Sequence, residues 1–511
     1  MPYRPLMVLG AGSDVGKSIL VAALCRIFHQ EGVRVAPFKA QNMALNSFIT
    51  PEGGEMGRAQ VVQAQAAGLT PHVDMNPILL KPSSEVGCQV IVHGKVYGNL
   101  KAREYYEHKP RLVREVMASY RRLAAAHDLI ILEGAGSAVE LNLKHNDLVN
   151  FSMAKRAKAA VLLVADIDRG GVFAATIGTY HLLTPAERRL FKGFIINKFR
   201  GDISLFDEGI RIIEKRTKRR VLGVVPYLKD LLLPQEDSVA LERKMAQTVA
   251  RFEDSLRLGV IRLPHLANYT DFDPLEQEAG VALRYVDHHE ALEHFDVLIL
   301  PGTKNTTADL LYLQETGLAE RLRAFARSGG RLVGICGGFQ ILGQEVRDPL
   351  GVDGTIPQAP GLGLLPVITT MATEKTTTQV SGQFLGLPGH PPIVGYEIHM
   401  GETRAVGPGQ PVCHITQRLQ EQVSFTDGWA TPDWQIWGTY IHGLFDQDEF
   451  RRAWLAELRR DRCLAYGPTE GYSFARFQEE QFDRLAAVVK KSLDMDFLWA
   501  IIHPDREAAS R

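Results

Sequence analysis

Short apolar runs recur along the chain, continuous rather than alternating, each followed by residues at helical spacing. In the first half they fall at Leu6–Leu9, Val33–Phe38, Asp128–Leu132, Ala160–Ala165, Gly193–Asn197 and Val221–Val225. Strands that are apolar on both faces must be covered on both, the condition of a parallel sheet between helix layers. From about Leu231 to Leu256 the pattern gives way to charged, helix-forming sequence such as Glu242-Arg243-Lys244, which predicts a linker. A second series follows at Arg257–Arg262, Val297–Leu300, Leu332–Ile335, Pro392–Gly395 and Trp437–Tyr440, and the tail Phe474–Ile502 has helical spacing. The expected fold class is α/β with two domains, each a mainly parallel sheet flanked by helices. Their expected extents are residues 1–230 and 257–511, joined by the linker 231–256.

The length of 511 residues agrees with more than one core, since single cores stop growing near roughly 250–300 residues. With 45% apolar and 23% charged residues, the composition is that of a globular protein and excludes a disordered chain. Lys and Arg number 58 against 59 Asp and Glu, so no global positive field exists for nucleic acid or an anionic membrane. No apolar run approaches the about 20 residues of a membrane span. The opening Met1-Pro2-Tyr3-Arg4-Pro5 runs straight into a strand and predicts no signal peptide. Five scattered cysteines suit a reducing compartment. A cytoplasmic location is expected, with small molecules as partners, no nucleic acid or membrane, and a homo-oligomer left open.

Chemistry first appears after the opening run. Gly10-Ala11-Gly12-Ser13-Asp14-Val15-Gly16-Lys17-Ser18 links a strand to a helix. Glycines let backbone N–H groups close around phosphate oxygens, Lys17 reaches the outer phosphates, and the Ser18 hydroxyl is placed to ligate Mg²⁺. Gly10, Gly12, Ser13, Asp14, Gly16, Lys17 and Ser18 are therefore expected to bind ATP. Glu133 stands just past an apolar strand, where open α/β sheets bind ligands, and is the expected carboxylate ligand of the metal. Glu55, in a glycine-rich loop, is a second metal candidate or else a solvated acid. Asp166-Ile167-Asp168-Arg169 reads as a capped turn or an active-site loop, and Asn197 as a residue presented to a purine edge.

In the second half, Ile335-Cys336-Gly337-Gly338 places a cysteine between a strand and a helix. Small neighbours permit the sharp turn of a nucleophile, and the helix start favours thiolate. Backbone N–H groups of Gly337 and of Gly302, in the turn Leu300-Pro301-Gly302-Thr303, are expected to receive an oxyanion. His442, after the run Trp437–Tyr440, is the expected base, with His399 the competing candidate. The remaining cysteines read as inert.

The first half, with Gly-x5-Gly-Lys-Ser spacing, resembles the dethiobiotin synthetase-like P-loop proteins. The second resembles the class I glutamine amidotransferases. Several strings are more narrowly similar to the cobyric acid synthases, corrinoid amidases of cobalamin synthesis. They are Lys39-Ala40-Gln41-Asn42-Met43, Met75–Pro82, Ala165–Phe173, Ile196–Asp202, Ala267–Leu275 and Leu300–Leu310. Class I enzymes carry a glutamate two positions after the histidine, where this chain has Leu444. That departure fits a branch with a Cys–His dyad and leaves open what orients His442. The resemblance implies that ATP, Mg²⁺ and glutamine are used to amidate the b, d, e and g carboxylates of adenosylcobyrinic acid a,c-diamide, with cobalt entering only inside the corrinoid. It also makes Lys39, Gln41, Asn42, Asp166 and Arg169 candidates for substrate contact. Three rivals remain: a cobyrinic acid a,c-diamide synthase, a P-loop partition ATPase, and a regulatory protein with an inactive amidotransferase-like half.

Overall fold

A computed structural model of the chain describes residues 2–82, 87–234, 255–354, 356–464 and 472–503. The first half is built on six parallel strands, β1 (Leu6–Gly10), β2 (Val35–Phe38), β3 (Leu129–Glu133), β4 (Ala160–Asp166), β5 (Phe191–Phe199) and β6 (Arg220–Pro226). Their order is β6-β5-β4-β1-β3-β2, with β1 central. Alternate residues of β1 feed opposite cores: Met7 and Leu9 join one cluster, Leu6 and Val8 the other. All four are fully buried, which is why the run reads as continuously apolar.

The second half has its own sheet: β7 (Leu256–Ile261), β8 (Val281–Val286), β9 (Val297–Leu300), β10 (Arg331–Ile335), β11 (Trp429–Ala430) and β12 (Ile436–Thr439). The order is β8-β7-β9-β10-β12-β11, parallel except for β11. The expected strand Pro392–Gly395 is not in this sheet. It begins Pro392–Ala405, which pairs antiparallel with Val367–Phe384 in a separate layer. Its burial alternates only at its start, Pro392–Val394, and Tyr396, Glu397 and Ile398 are all buried.

One expected boundary is corrected. Helices α4 (Phe474–Ser492) and α5 (Met495–Ile502), assigned above to residues 257–511, pack on the first half. Phe482, Leu485, Val489, Leu498 and Ile502 share a core with Leu6, Val8 and the helix α1 (Lys17–Gln30). Arg26 of α1 bonds Asp483 at 2.7 Å. Helical spacing shows that a face needs cover without showing which core supplies it. Most of the expected linker falls on residues 235–254, outside the described residues.

The halves meet where the hairpin Ser47–Ile49/Glu55–Gly57 of the first lies against the second. Ser47 N donates to Asn268 Oδ1 (3.1 Å), Gln379 Nε2 to Ile49 O (2.8 Å), and Lys375 Nζ to Glu55 Oε2 (2.6 Å). Among the described residues, no helix is long and apolar enough to cross a membrane.

Candidate active sites

The first site forms where β1 turns into α1. Gly10 ends the strand, Gly12, Ser13 and Asp14 make the turn, and Gly16 takes the left-handed conformation (φ 92°) that starts the helix. A Cβ on Gly16 would stand 2.2 Å from Asn197 Nδ2, so only glycine fits there. Asn197 itself donates to Val15 O at 2.8 Å, which braces the loop from β5. Lys17 Nζ reaches Gly12 O (2.9 Å) and Gly136 O (3.0 Å).

Glu133, at the end of β3, is almost fully buried, with 1% of its surface exposed. Oε1 accepts from Ser18 Oγ and Lys39 Nζ, both at 2.8 Å; Oε2 accepts from Gln63 Nε2 at 2.5 Å and Gln60 Nε2 at 3.3 Å. Burial pushes its pKa up, but Lys39 and these hydrogen bonds overcome that and hold it below the ordinary carboxylate value. The helix α2 (Arg58–Ala66) that supplies Gln60 and Gln63 gave no signal in the sequence reading.

A cavity of about 720 Å³ opens from this loop, lined by Lys17, Ser18, Glu133, Lys39, Gln41, Asn42 and Asn197 among others. Three of the five candidate substrate residues thus face it, although Lys39 is tied to Glu133, Asn42 to Gln60 (3.0 Å) and Gln41 to Tyr105. The other two do not line it. Asp166 pairs with Lys198 at 3.0 Å and Arg169 with Asp14 at 2.5 Å, so both brace the rim of the loop. Glu55 is corrected outright as a metal candidate. It lies at the seam, with Lys81 and Ser47 on Oε1 (2.8 and 2.9 Å) and Lys375 on Oε2. It does not line the cavity, because its hairpin faces the other half rather than the loop.

The second site is at the end of β10. Cys336 has φ 52° and ψ −107°, a strained turn that starts α3 (Gly337–Leu342). A Cβ on Gly338 would stand 1.9 Å from Leu300 O, so the close approach of the helix to β9 requires glycine. His442 is buried, and Gly302 lies against it: a Cβ there would be 2.9 Å from His442 Cε1. Gly337 packs on Thr303 of the same turn. The two expected oxyanion donors therefore lie on adjacent segments beside the thiol.

His442 Nδ1 pairs with Asp271 Oδ2 at 2.6 Å, and Gly443 N donates to Asp271 Oδ1 at 3.1 Å. The residue that orients the imidazole is thus Asp271, from the turn after β7, and not position 444, where Leu444 is core. Burial pushes the His442 pKa down, yet Asp271 and the Cys336 sulfur overcome it and raise it to about 10. His399, the competing base, bonds Gly401 O through Nδ1 (2.9 Å) and stacks on Tyr440. Among the other cysteines, burial pushes the Cys25 and Cys413 thiols well up, which makes them inert.

Comparison with known proteins covers both sites. Residues 6–239 match the family described as the CobQ/CobB/MinD/ParA nucleotide binding domain. Residues 257–450 match the CobB/CobQ-like glutamine amidotransferase domain. The chain is 53% identical over 506 residues to a cobyric acid synthase of Syntrophobacter fumaroxidans, covering 98% of each chain. It is 46% identical over 505 residues to that of Dehalococcoides mccartyi, again over 98% of each. To that of Yersinia enterocolitica it is 49% identical over 498 residues, 96% of each.

Proposed function

This chain belongs to the cobyric acid synthase family, glutamine-using amide-forming enzymes of cobalamin biosynthesis, and on that premise we propose how its two sites divide the work. The substrate is adenosylcobyrinic acid a,c-diamide, amidated in turn at its b, d, e and g carboxylates. The observation that carries the reading is the Asp271–His442 pair beside Cys336, in one chain with a phosphate loop whose Ser18 touches a buried carboxylate.

At the second site, Asp271 holds His442 so that its imidazole takes and keeps the Cys336 proton. Cys336 attacks the glutamine amide, the N–H groups of Gly302 and Gly337 take the oxyanion, and His442 gives its proton to the leaving ammonia. Water then releases glutamate from the thioester. At the first site, the ATP γ-phosphoryl group passes to a corrinoid carboxylate, and ammonia displaces phosphate from that acyl phosphate. Gly10 to Ser18 position the phosphates and Lys17 offsets their charge.

Mg²⁺ fits this donor set. Ser18 Oγ, at the start of α1, and Glu133 Oε1, at the end of β3, are neighbouring hard oxygen donors, the type this ion prefers. Ser18 and Glu133 would hold the ion, which would shield the charge of the transferred group. Cobalt belongs to the substrate.

Mass spectrometry of the corrinoid after incubation with ATP, Mg²⁺ and glutamine tests the reading. Four replacements of OH by NH₂ are expected. Two, at a and c, would assign the chain to the diamide synthases, and none would favour a switching or regulatory protein.

A further inference from the structure

The turn that carries Gly302 continues through a lysine the mechanism does not use. Its other polar side chains are tied down: Thr303 Oγ1 to Asp309 (2.5 Å), Asn305 Oδ1 to Ala308 N (3.1 Å), and Thr306 Oγ1 to Gln340 (2.8 Å). Lys304 Nζ has no hydrogen bond or ion pair among the described residues. The side chain is half-buried, and its backbone N–H is spent on His265 O. Four groups face it electrostatically: Lys81 and Glu55 across the seam, Asp353, and the sulfur of Cys336.

Asp353 is placed by the same turn. Its Oδ2 accepts from the backbone N–H groups of Thr306 (2.6 Å) and Thr307 (3.3 Å). It feels Lys304 yet makes no ion pair with it. A lysine without a side-chain partner and a carboxylate bonded by backbone N–H groups alone thus stand at the turn that packs on Gly337, with no ion pair between them. Sheltered charges are costly unless matched, and a pair held apart matches a zwitterion.

We propose that Lys304 and Asp353 receive the amino-acid head of the nitrogen donor, Lys304 the α-carboxylate and Asp353 the α-ammonium. The inference rests on glutamine being the substrate of Cys336. The short glutamine side chain then delivers its carboxamide to the thiol, since Thr303, the residue before Lys304, packs against Gly337. A site that pairs both charges rejects simple amides that lack them.

The test compares two thiol reagents on the full-length enzyme. A diazoketone analogue of glutamine carries the amino-acid head, and iodoacetamide does not. Lys304→Met is expected to slow labelling of Cys336 by the diazoketone and to raise KM for glutamine, each by about tenfold to a hundredfold, the worth of one charged hydrogen bond. Its rate with iodoacetamide should match that of the unmodified enzyme, and Lys304→Arg should recover part of the loss. Asp353→Asn provides a second, independent variant with the same expected pattern. Equal slowing with both reagents would assign Lys304 to the thiol itself and overturn the inference, as would an unchanged KM in both variants. If the unmodified enzyme neither hydrolyses glutamine nor reacts with the diazoketone, the functional reading falls together with this inference.

Discussion

Each site is organised by one buried carboxylate, and the two carboxylates do different work. Glu133 is surrounded by donors that keep their protons near neutrality: a hydroxyl, two amides and a lysine. They fix it as a permanent anion. Asp271 faces an imidazole, the one side chain whose proton is easily moved in this range, and lifts its pKa to about 10. The first carboxylate is suited to holding a metal, the second to setting a proton. The difference lies in the partner's chemistry, since both acids are equally hidden, with Glu133 1% and Asp271 5% exposed.

Substitutions that exchange these roles break the comparison at its strongest point. Cys336→Ala is expected to reduce glutamine-supported amidation by about a thousandfold or more, while free ammonia restores it; initial rates with each nitrogen source check this. Lys17→Ala should reduce amidation by about a hundredfold or more with either source, because it removes charge compensation at the phosphoryl group. Asp271→Asn should lower the glutaminase kcat by about a hundred- to ten-thousandfold.

The pH profile sharpens the contrast. With the His442 pKa raised from the ordinary 6.5 to about 10, the imidazolium persists through neutrality and is lost as pH rises through about 10. In Asp271→Asn the raising partner is gone, so the alkaline limb must move to lower pH. No comparable limb is expected from Glu133, whose pKa lies below its ordinary value. A smaller, purely structural effect is expected at the seam. Glu55→Gln leaves Lys81 and Lys375 buried without their anion and should cost about 3–5 kcal/mol of stability, read from denaturant unfolding. The nucleotide affinity should stay unchanged, because Glu55 does not line the loop's cavity. Arg169→Ala should change stability least, by about 0–1 kcal/mol, since the Arg169 side chain is more than half exposed.

Legibility followed the same division. The loop Gly10–Ser18 and the elbow at Cys336 are contiguous, and strand-turn-helix patterning marks both. Glu133 was legible from its position at a strand end. Asp271 was not, because it stands 171 residues from its histidine and no local pattern marks an acid in a buried turn. Asn268 of the same turn takes a left-handed conformation and bonds Ser47 of the first half, so the turn orienting His442 also touches the seam. Glu55 misled for the reverse reason: in a glycine-rich loop it reads as a metal ligand or a solvated acid, but the lysines that claim it come from elsewhere, one of them Lys375 in the other half. The strand Val281–Val286 was missed, its burial broken by Arg284 at the edge of its sheet.

The central claim is that nitrogen freed at Cys336 is the nitrogen built into amide at the phosphate-loop site. Glutamine labelled with a heavy isotope at its amide nitrogen, supplied to the enzyme with ATP, corrinoid and unlabelled ammonium, tests it directly. The account predicts heavy nitrogen in the product amides of the unmodified enzyme and unlabelled nitrogen in those of Cys336→Ala. Unlabelled product from the unmodified enzyme, formed while glutamine is being hydrolysed, would contradict it.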